Sequence, residues 1–229
     1  MKPINPVEIT PGSAESWVDV DVTAYVGADA GSVAGVMLQV RNTSTIEYQW
    51  GVRKNGSTDT PTAIIEDSGQ TWVAIGVDSG DIFECYVGHL TNIDVFLVGY
   101  ITTDSGAFFT NYSDVTPATG AWNDVDISAL TGGDTAKVAF LLVYKNATSQ
   151  GLPHWGLREN GSTDTLRIIG AGAGFNDLRG AMIGVDANEI FEAYLTYTDT
   201  KLYLVGYMKD NLTTFANRKN YATATTGSY

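Results

Sequence analysis

Cysteine occurs once in the 229 residues, at Cys85, so no disulfide can form within the chain and its stability must come from packing. Histidine occurs twice, at His89 and His154, and the 13 lysines and arginines never cluster in a run longer than two. With 26 acidic residues the formal net charge is −13. Phosphate backbones are bound by clustered lysine and arginine, so nucleic acid and anionic membrane surfaces are not expected as partners. No apolar run reaches 18 residues, and the opening "MKPINPVEITPGS" has no apolar stretch. Neither a membrane span nor a signal peptide is expected.

Enzyme signatures are missing too. There is no G-x-S-x-G, H-E-x-x-H or Walker loop. His89 and His154 fall at non-equivalent places in an otherwise repeated sequence, which leaves a Ser-His-Asp arrangement unsupported. "GAGAGF" at 170–175 resembles a dinucleotide loop, but no helical pattern follows it, so it reads as a flexible loop. The expectation is no enzyme, no catalytic residue and no cofactor.

Glycine and tyrosine are abundant, at 25 and 12 residues, and 44% of the chain is hydrophobic, enough for packed cores. The apolar residues alternate with period two, which predicts strands at 17–23, 33–42, 46–54, 62–66, 72–78, 82–88, 93–101 and 107–111. Turn residues separate them, as in Asp78-Ser79-Gly80 and Asp104-Ser105-Gly106. Eight short strands in about 105 residues predict an all-β sandwich. A jelly roll is the first choice. An immunoglobulin-like sandwich is the second, because the cysteine and tryptophan spacing of true immunoglobulin domains is missing.

The pattern then repeats. "GVRKNGSTDT" (51–60) returns as "GLRENGSTDT" (156–165), "SWVDVDVTAYVGAD" (16–29) as "AWNDVDISALTGGD" (121–134), and "IGVDSGDIFECYV" (75–87) as "IGVDANEIFEAYL" (183–195). Two tandem sandwiches are therefore expected at 13–117 and 118–217, each burying its own interior. Terminal segments 1–12 and 218–229 flank them as candidates for reaching a neighbour. "TATTGSY" (223–229) echoes "TPATGAW" (116–122), like the start of a third copy.

The duplicated polar stretch holds Arg53, Asn55, Gly56 and Asp59, matched by Arg158, Asn160, Gly161 and Asp164. Asn-Gly favours positive φ at consecutive positions, as in a tight primed hairpin turn. Ser-Thr-Asp can satisfy nearby backbone groups, and Arg53 could pair with Asp59 across the loop. This reads as a folding device; a ligand site is the alternative. Asp19 and Asp21, with Asp124 and Asp126, share a strand face and could converge on Ca²⁺, but a solvated outer face alternating with Val18, Val20 and Val22 explains the pattern without a metal and is the first reading. Cys85 matches Ala193, as a small core residue would. Trp50/Trp155, Trp17/Trp122, Tyr100/Tyr207 and Phe83/Phe191 recur as core candidates, whereas Trp72 and Tyr197 lack aromatic counterparts and suit a surface contact such as stacking on a sugar.

The succession "WGVRKNGSTD", "IGVDSGDIFECYV" and "FLVGY" resembles a repeat of uncharacterised bacteriophage and environmental viral proteins, which look like tandem β-domains of virion components. The resemblance spans about residues 13 to 217. It implies a non-enzymatic virion protein made in the host cytoplasm, serving as capsid decoration or as a tail or fibre component. Its partners would be other virion proteins or further copies of itself. A glycan-binding or adhesin module is the alternative.

Overall fold

In the computed structural model, residues 1–146, 154–165, 167–169 and 176–209 are described. Eight strands make the first repeat: β1 (Lys2–Glu8), β2 (Trp17–Asp21), β3 (Val33–Asn42), β4 (Tyr48–Lys54), β5 (Ala63–Ile65), β6 (Gln70–Gly76), β7 (Ile82–Val87) and β8 (Ile93–Thr102). A one-turn helix α1 (Thr23–Val26) and a 3₁₀ turn (Gly27–Asp29) join β2 to β3. The second repeat runs through β9 (Gly106–Asp114), β10 (Trp122–Asp126), β11 (Val138–Lys145), β12 (His154–Glu159), β13 (Ile168–Ile169), β14 (Asp177–Gly184), β15 (Ile190–Leu195) and β16 (Thr200–Met208).

The strands form four antiparallel sheets in the orders β1-β8-β3-β6, β2-β7-β4-β5, β9-β16-β11-β14 and β10-β15-β12-β13. Each repeat thus places strands 1-8-3-6 against 2-7-4-5. That is the eight-stranded jelly-roll order, and it differs from the ABED/CFG order of the immunoglobulin sandwich. The chain is a tandem pair of jelly rolls.

The strand expected at 107–111 does exist, but it pairs with β16 through Phe108↔Gly206 and Leu204↔Ser113. It opens the second jelly roll and does not close the first. The division expected at 117/118 therefore falls after β8, near residue 105. Likewise Lys2–Glu8, expected to be a free terminal segment, is an edge strand on β8. Its sequence, "KPINPVE", has no period-two signal, and Pro3 and Pro6 lack N–H groups. An edge strand tolerates both, because one of its sides needs no ladder partner. Residues 218–229 and the loop 170–175 lie outside the described residues.

The second repeat buries its own core of Val125, Leu141, Val143, Trp155, Phe191, Leu195, Leu202 and Leu204. Alternate residues of β11 divide between two cores. Ala139, Leu141 and Val143 join this one, whereas Val138, Phe140 and Leu142 join the cluster of the first repeat, with Leu178 and Val205. The sheet β9-β16-β11-β14 is therefore apolar on both faces, which is why β11 reads "VAFLLVYK" without polar alternation. This corrects the expectation of two self-contained interiors: the first core continues across the joint.

Close packing there is written in glycines. A Cβ on Gly180 would lie 2.3 Å from the carbonyl oxygen of Trp72, so β14 and β6 can touch backbone to backbone only with glycine at 180. Phe108 fills the space left by Gly35 and Gly76, whose Cβ atoms would fall 2.4 and 2.6 Å from it. Its ring stacks on Phe140 at 5.1 Å.

Candidate docking site at the joint between the jelly rolls

The duplicated polar residues build the same structure twice. Arg53 faces Glu84 across the β4–β7 ladder, as Arg158 faces Glu192 across β12–β15. The Arg53 guanidinium makes a two-pronged bond to Glu84, Nε to Oε2 at 2.9 Å and Nη2 to Oε1 at 2.7 Å. Arg158 and Glu192 repeat it at the same distances, 2.9 and 2.7 Å. The guanidiniums lie 4.4 and 4.2 Å from the ring centres of Trp17 and Trp122. These two tryptophans are half-buried platforms for arginine, and so differ from the core role expected of them.

Arg53 does not pair with the Asp59 carboxylate. Its Nη1 donates instead to the Asp59 backbone carbonyl at 3.0 Å, and Arg158 does the same to Asp164 at 2.8 Å. The reason is register: Glu84 already stands opposite Arg53, leaving the third edge of the guanidinium for the loop. The glutamate recurs in "IFECYV" and "IFEAYL", so this partner was visible in the repeat.

The Asn-Gly turn also departs from expectation. Only Gly56 has positive φ, at +78°, with Gly161 at +76°. Ser57 N–H closes the turn on the Lys54 carbonyl at 3.0 Å. β4 meets β5 only at Tyr48↔Ile65, Gln49↔Ile64 and Trp50↔Ala63, so the connection is a wide loop and no tight primed hairpin forms. Asn55 Nδ2 anchors it to Asp78 Oδ2 at 2.7 Å, and Asn160 reaches Asp186 at 2.8 Å.

The wide loop leaves Ser57, Thr58 and Asp59 free to receive a strand of the other repeat. Asn111 Oδ1 on β9 accepts from Ser57 Oγ at 3.0 Å and from Thr58 N–H at 3.0 Å. The Tyr112 N–H donates to Asp59 Oδ2 at 2.6 Å, and the Tyr112 hydroxyl donates to the Val52 carbonyl. Lys54 Nζ donates to the Phe108 carbonyl at 3.2 Å. These contacts fall in the register shift of β9 against β16, where 109–112 leave the ladder and their polar groups need other partners. Beside them an open cleft of about 360 Å³ is lined by Lys54, Asp78, Phe108 and Lys209, among others. Burial lowers the pKa of Lys54 from its ordinary value.

The aspartate pairs behave as turn residues. Asp21 Oδ1 accepts the Thr23 N–H at 2.8 Å and Asp126 Oδ1 the Ser128 N–H at 2.9 Å. Hydrogen bonding from the Thr23 and Ser128 side chains, and then these backbone bonds, hold both carboxyls below their ordinary range. Asp19 and Asp124 lie beside Glu84 and Glu192 in the ladders. Among the described residues no three His, Cys, Asp or Glu side chains gather at metal-binding distance. Cys85 and Ala193 are core residues, and burial pushes the Cys85 thiol up to about 12. Trp72 is 49% and Tyr197 39% exposed.

Strong alkali should loosen the protein. Burial pushes the Tyr112 phenol far above its ordinary value, and burial followed by the bond to Asp134 pushes Tyr207 up to about 12. An unfolded tyrosine ionises near pH ~10. Above that pH the unfolded chain gives up protons that the folded chain keeps, so stability is full below about pH 10 and falls as pH rises towards 12. Denaturant midpoints taken with phenolate absorbance between about pH 9 and 12 should show both changes together. Free titration of every tyrosine near its ordinary value, with the fold intact, would contradict this.

The strand order and the shared central sheet thus define a double jelly roll held by a repeated loop. No protein-family model and no curated protein matches the chain. Among solved structures it is similar to "Crystal Structure of the STIV MCP", at 9% identity, over 91% of this chain and 96% of that one, with a TM-score of 0.30. So loose a superposition bears on neither the topology nor the role.

Proposed function

We propose that the chain is a non-enzymatic structural component of a virus particle, serving as capsid decoration or as part of a tail or fibre. The observation that carries this reading is the central sheet, apolar on both faces, through which the two jelly rolls pack together. Two jelly rolls packed through one shared sheet suit a part that is repeated in an assembly. The viral resemblance of its duplicated motifs supports the same reading. Its partners are then other virion proteins or further copies of the chain.

Sedimentation and electron microscopy of the purified protein, alone and mixed with particles from its source, test this. Ordered oligomers or stoichiometric attachment to particles is the expected result. A monomer that ignores the particles and binds one class of glycan, with the binding lost in Trp72→Ala, would replace this reading by the adhesin one.

A further inference from the structure

Six side chains meet on the outer face of the first sheet, in two rows. Trp72, Gln39 and Phe96 stand opposite one another across β6, β3 and β8, and Gln70, Arg41 and Asp94 form the next row. Neighbours in this lattice already hold one another. Gln39 Nε2 donates to Gln70 Oε1 at 2.9 Å, and Arg41 Nη2 donates to Asp94 Oδ2 at 2.6 Å, with the guanidinium 5.2 Å from the centre of the Phe96 ring. These bonds leave Gln39 Oε1 and Asp94 Oδ1 as acceptors, and Gln70 Nε2 and Arg41 Nη1 as donors, without partners among the described residues. Trp72 stands beside them 49% exposed, and it also lines a groove of about 90 Å³ with Met37, Ala74, Ala181 and Met182.

The second repeat shows the same face when it receives protein. Its matched ladders put Gly180, Leu142 and Tyr203 in the row of Trp72, and Leu178, Tyr144 and Lys201 in the row of Gln70. Leu142 and Leu178 are buried there in the cluster of the first roll, and a Cβ at 180 would fall 2.3 Å from a carbonyl oxygen of β6. Trp72 stands where that contact needs a glycine, so a jelly roll of another copy cannot dock on the first repeat in the same way. Amides and a paired arginine in place of leucine and tyrosine suit an occupant that brings its own hydrogen-bonding groups.

We propose that this face binds an uncharged oligosaccharide built of hexopyranose units. One ring lays its C–H face on the Trp72 indole, and hydroxyls of the same and the next ring, each both donor and acceptor, meet the free groups of the Gln39–Gln70 and Arg41–Asp94 pairs. Because both pairs are formed beforehand, little side-chain freedom is lost on binding. The Arg41 and Asp94 charges offset each other, and a net charge of −13 repels acidic sugars, so the chain selected is a neutral one. The sugar face stands apart from the structural role: particle attachment tests the one and sugar binding the other.

NMR of the indole N–H groups of the full chain, with Trp72 identified by its loss in Trp72→Phe, tests the proposal. At least one of cellohexaose, laminarihexaose and mannohexaose should shift the Trp72 resonance saturably, and a hyaluronan hexasaccharide should not. By calorimetry, Trp72→Ala should weaken that binding at least about tenfold, and Gln39→Ala/Gln70→Ala at least about fivefold. Melting temperature and sedimentation should stay those of the parent, because the substituted side chains lie outside the core. No saturable shift with any of the three hexaoses up to about 10 mM, binding untouched by Trp72→Ala, or a preference for hyaluronan would overturn it.

Discussion

Phe108→Ala is expected to cost about 3–5 kcal/mol and to turn one cooperative melt into two. The ring is 8% exposed and fills a space that Gly35 and Gly76 leave for it against Phe140. Three of its neighbours are rigid backbone or a stacked ring, so the cavity has little means of collapsing, and the cost belongs at the high end for an aromatic truncation. Its position makes the effect more than local, because it couples β9 of the second jelly roll to β3 and β6 of the first. While that contact holds, neither roll can open without exposing Phe140 and Leu142. With the ring gone, the second roll keeps its own core and the first loses part of its cover. Calorimetry should therefore show the first repeat melting ahead of the second. Tyr112→Phe is the control for scale: it removes one hydroxyl donated to Val52 and should cost about 1 kcal/mol without splitting the melt. A Phe108→Ala protein that melts in a single unshifted step would mean that the rolls are not coupled through this ring.

Much of this architecture was legible in the residues, and the misses have physical causes. Strong alternation in "IFECYV" and "VFLVGYIT" marks β7 and β8, because one face of each is packed and the other is not. β1 was invisible: an edge strand with two prolines is held by a neighbour's free ladder and not by its own pattern. The pattern of "GAFFTNYSD" marks a strand, but nothing in it says which sheet will accept it and so on which side of the boundary it falls. Duplication alone makes the Asn-Gly loop a folding device serving each repeat separately. Its Ser-Thr-Asp run also meets the next repeat, a contact that depends on Asn111 and Tyr112 more than fifty residues away. A trace did exist in Gly180 standing where the first copy has Trp72, because a strand that abandons its side chain is making room for another backbone.

The second large effect lies in the arginines. Arg53→Met should destabilise the protein by about 3 kcal/mol, and so should Glu84→Met, yet the double variant should cost clearly less than their sum. Side-chain exposures of 14% for Arg53 and 12% for Glu84 leave either charge poorly hydrated once its partner is gone, which is where most of each single cost arises. When both are replaced by apolar side chains, no stranded charge remains, and methionine at 53 can still lie on Trp17. What stays lost is the bond to the Asp59 carbonyl, so the double variant does not return to the parent's stability. That residue of cost should also appear at the joint, because the same aspartate holds the Tyr112 N–H through its carboxylate. Arg158 and Glu192, at 15% and 13%, give a second and internally controlled cycle. Chemical denaturation of the seven proteins formed by the two cycles, which share one parent, checks the claim. Additive losses in both would show the pairs to be screened surface contacts and would remove the arginine from the architecture of the loop.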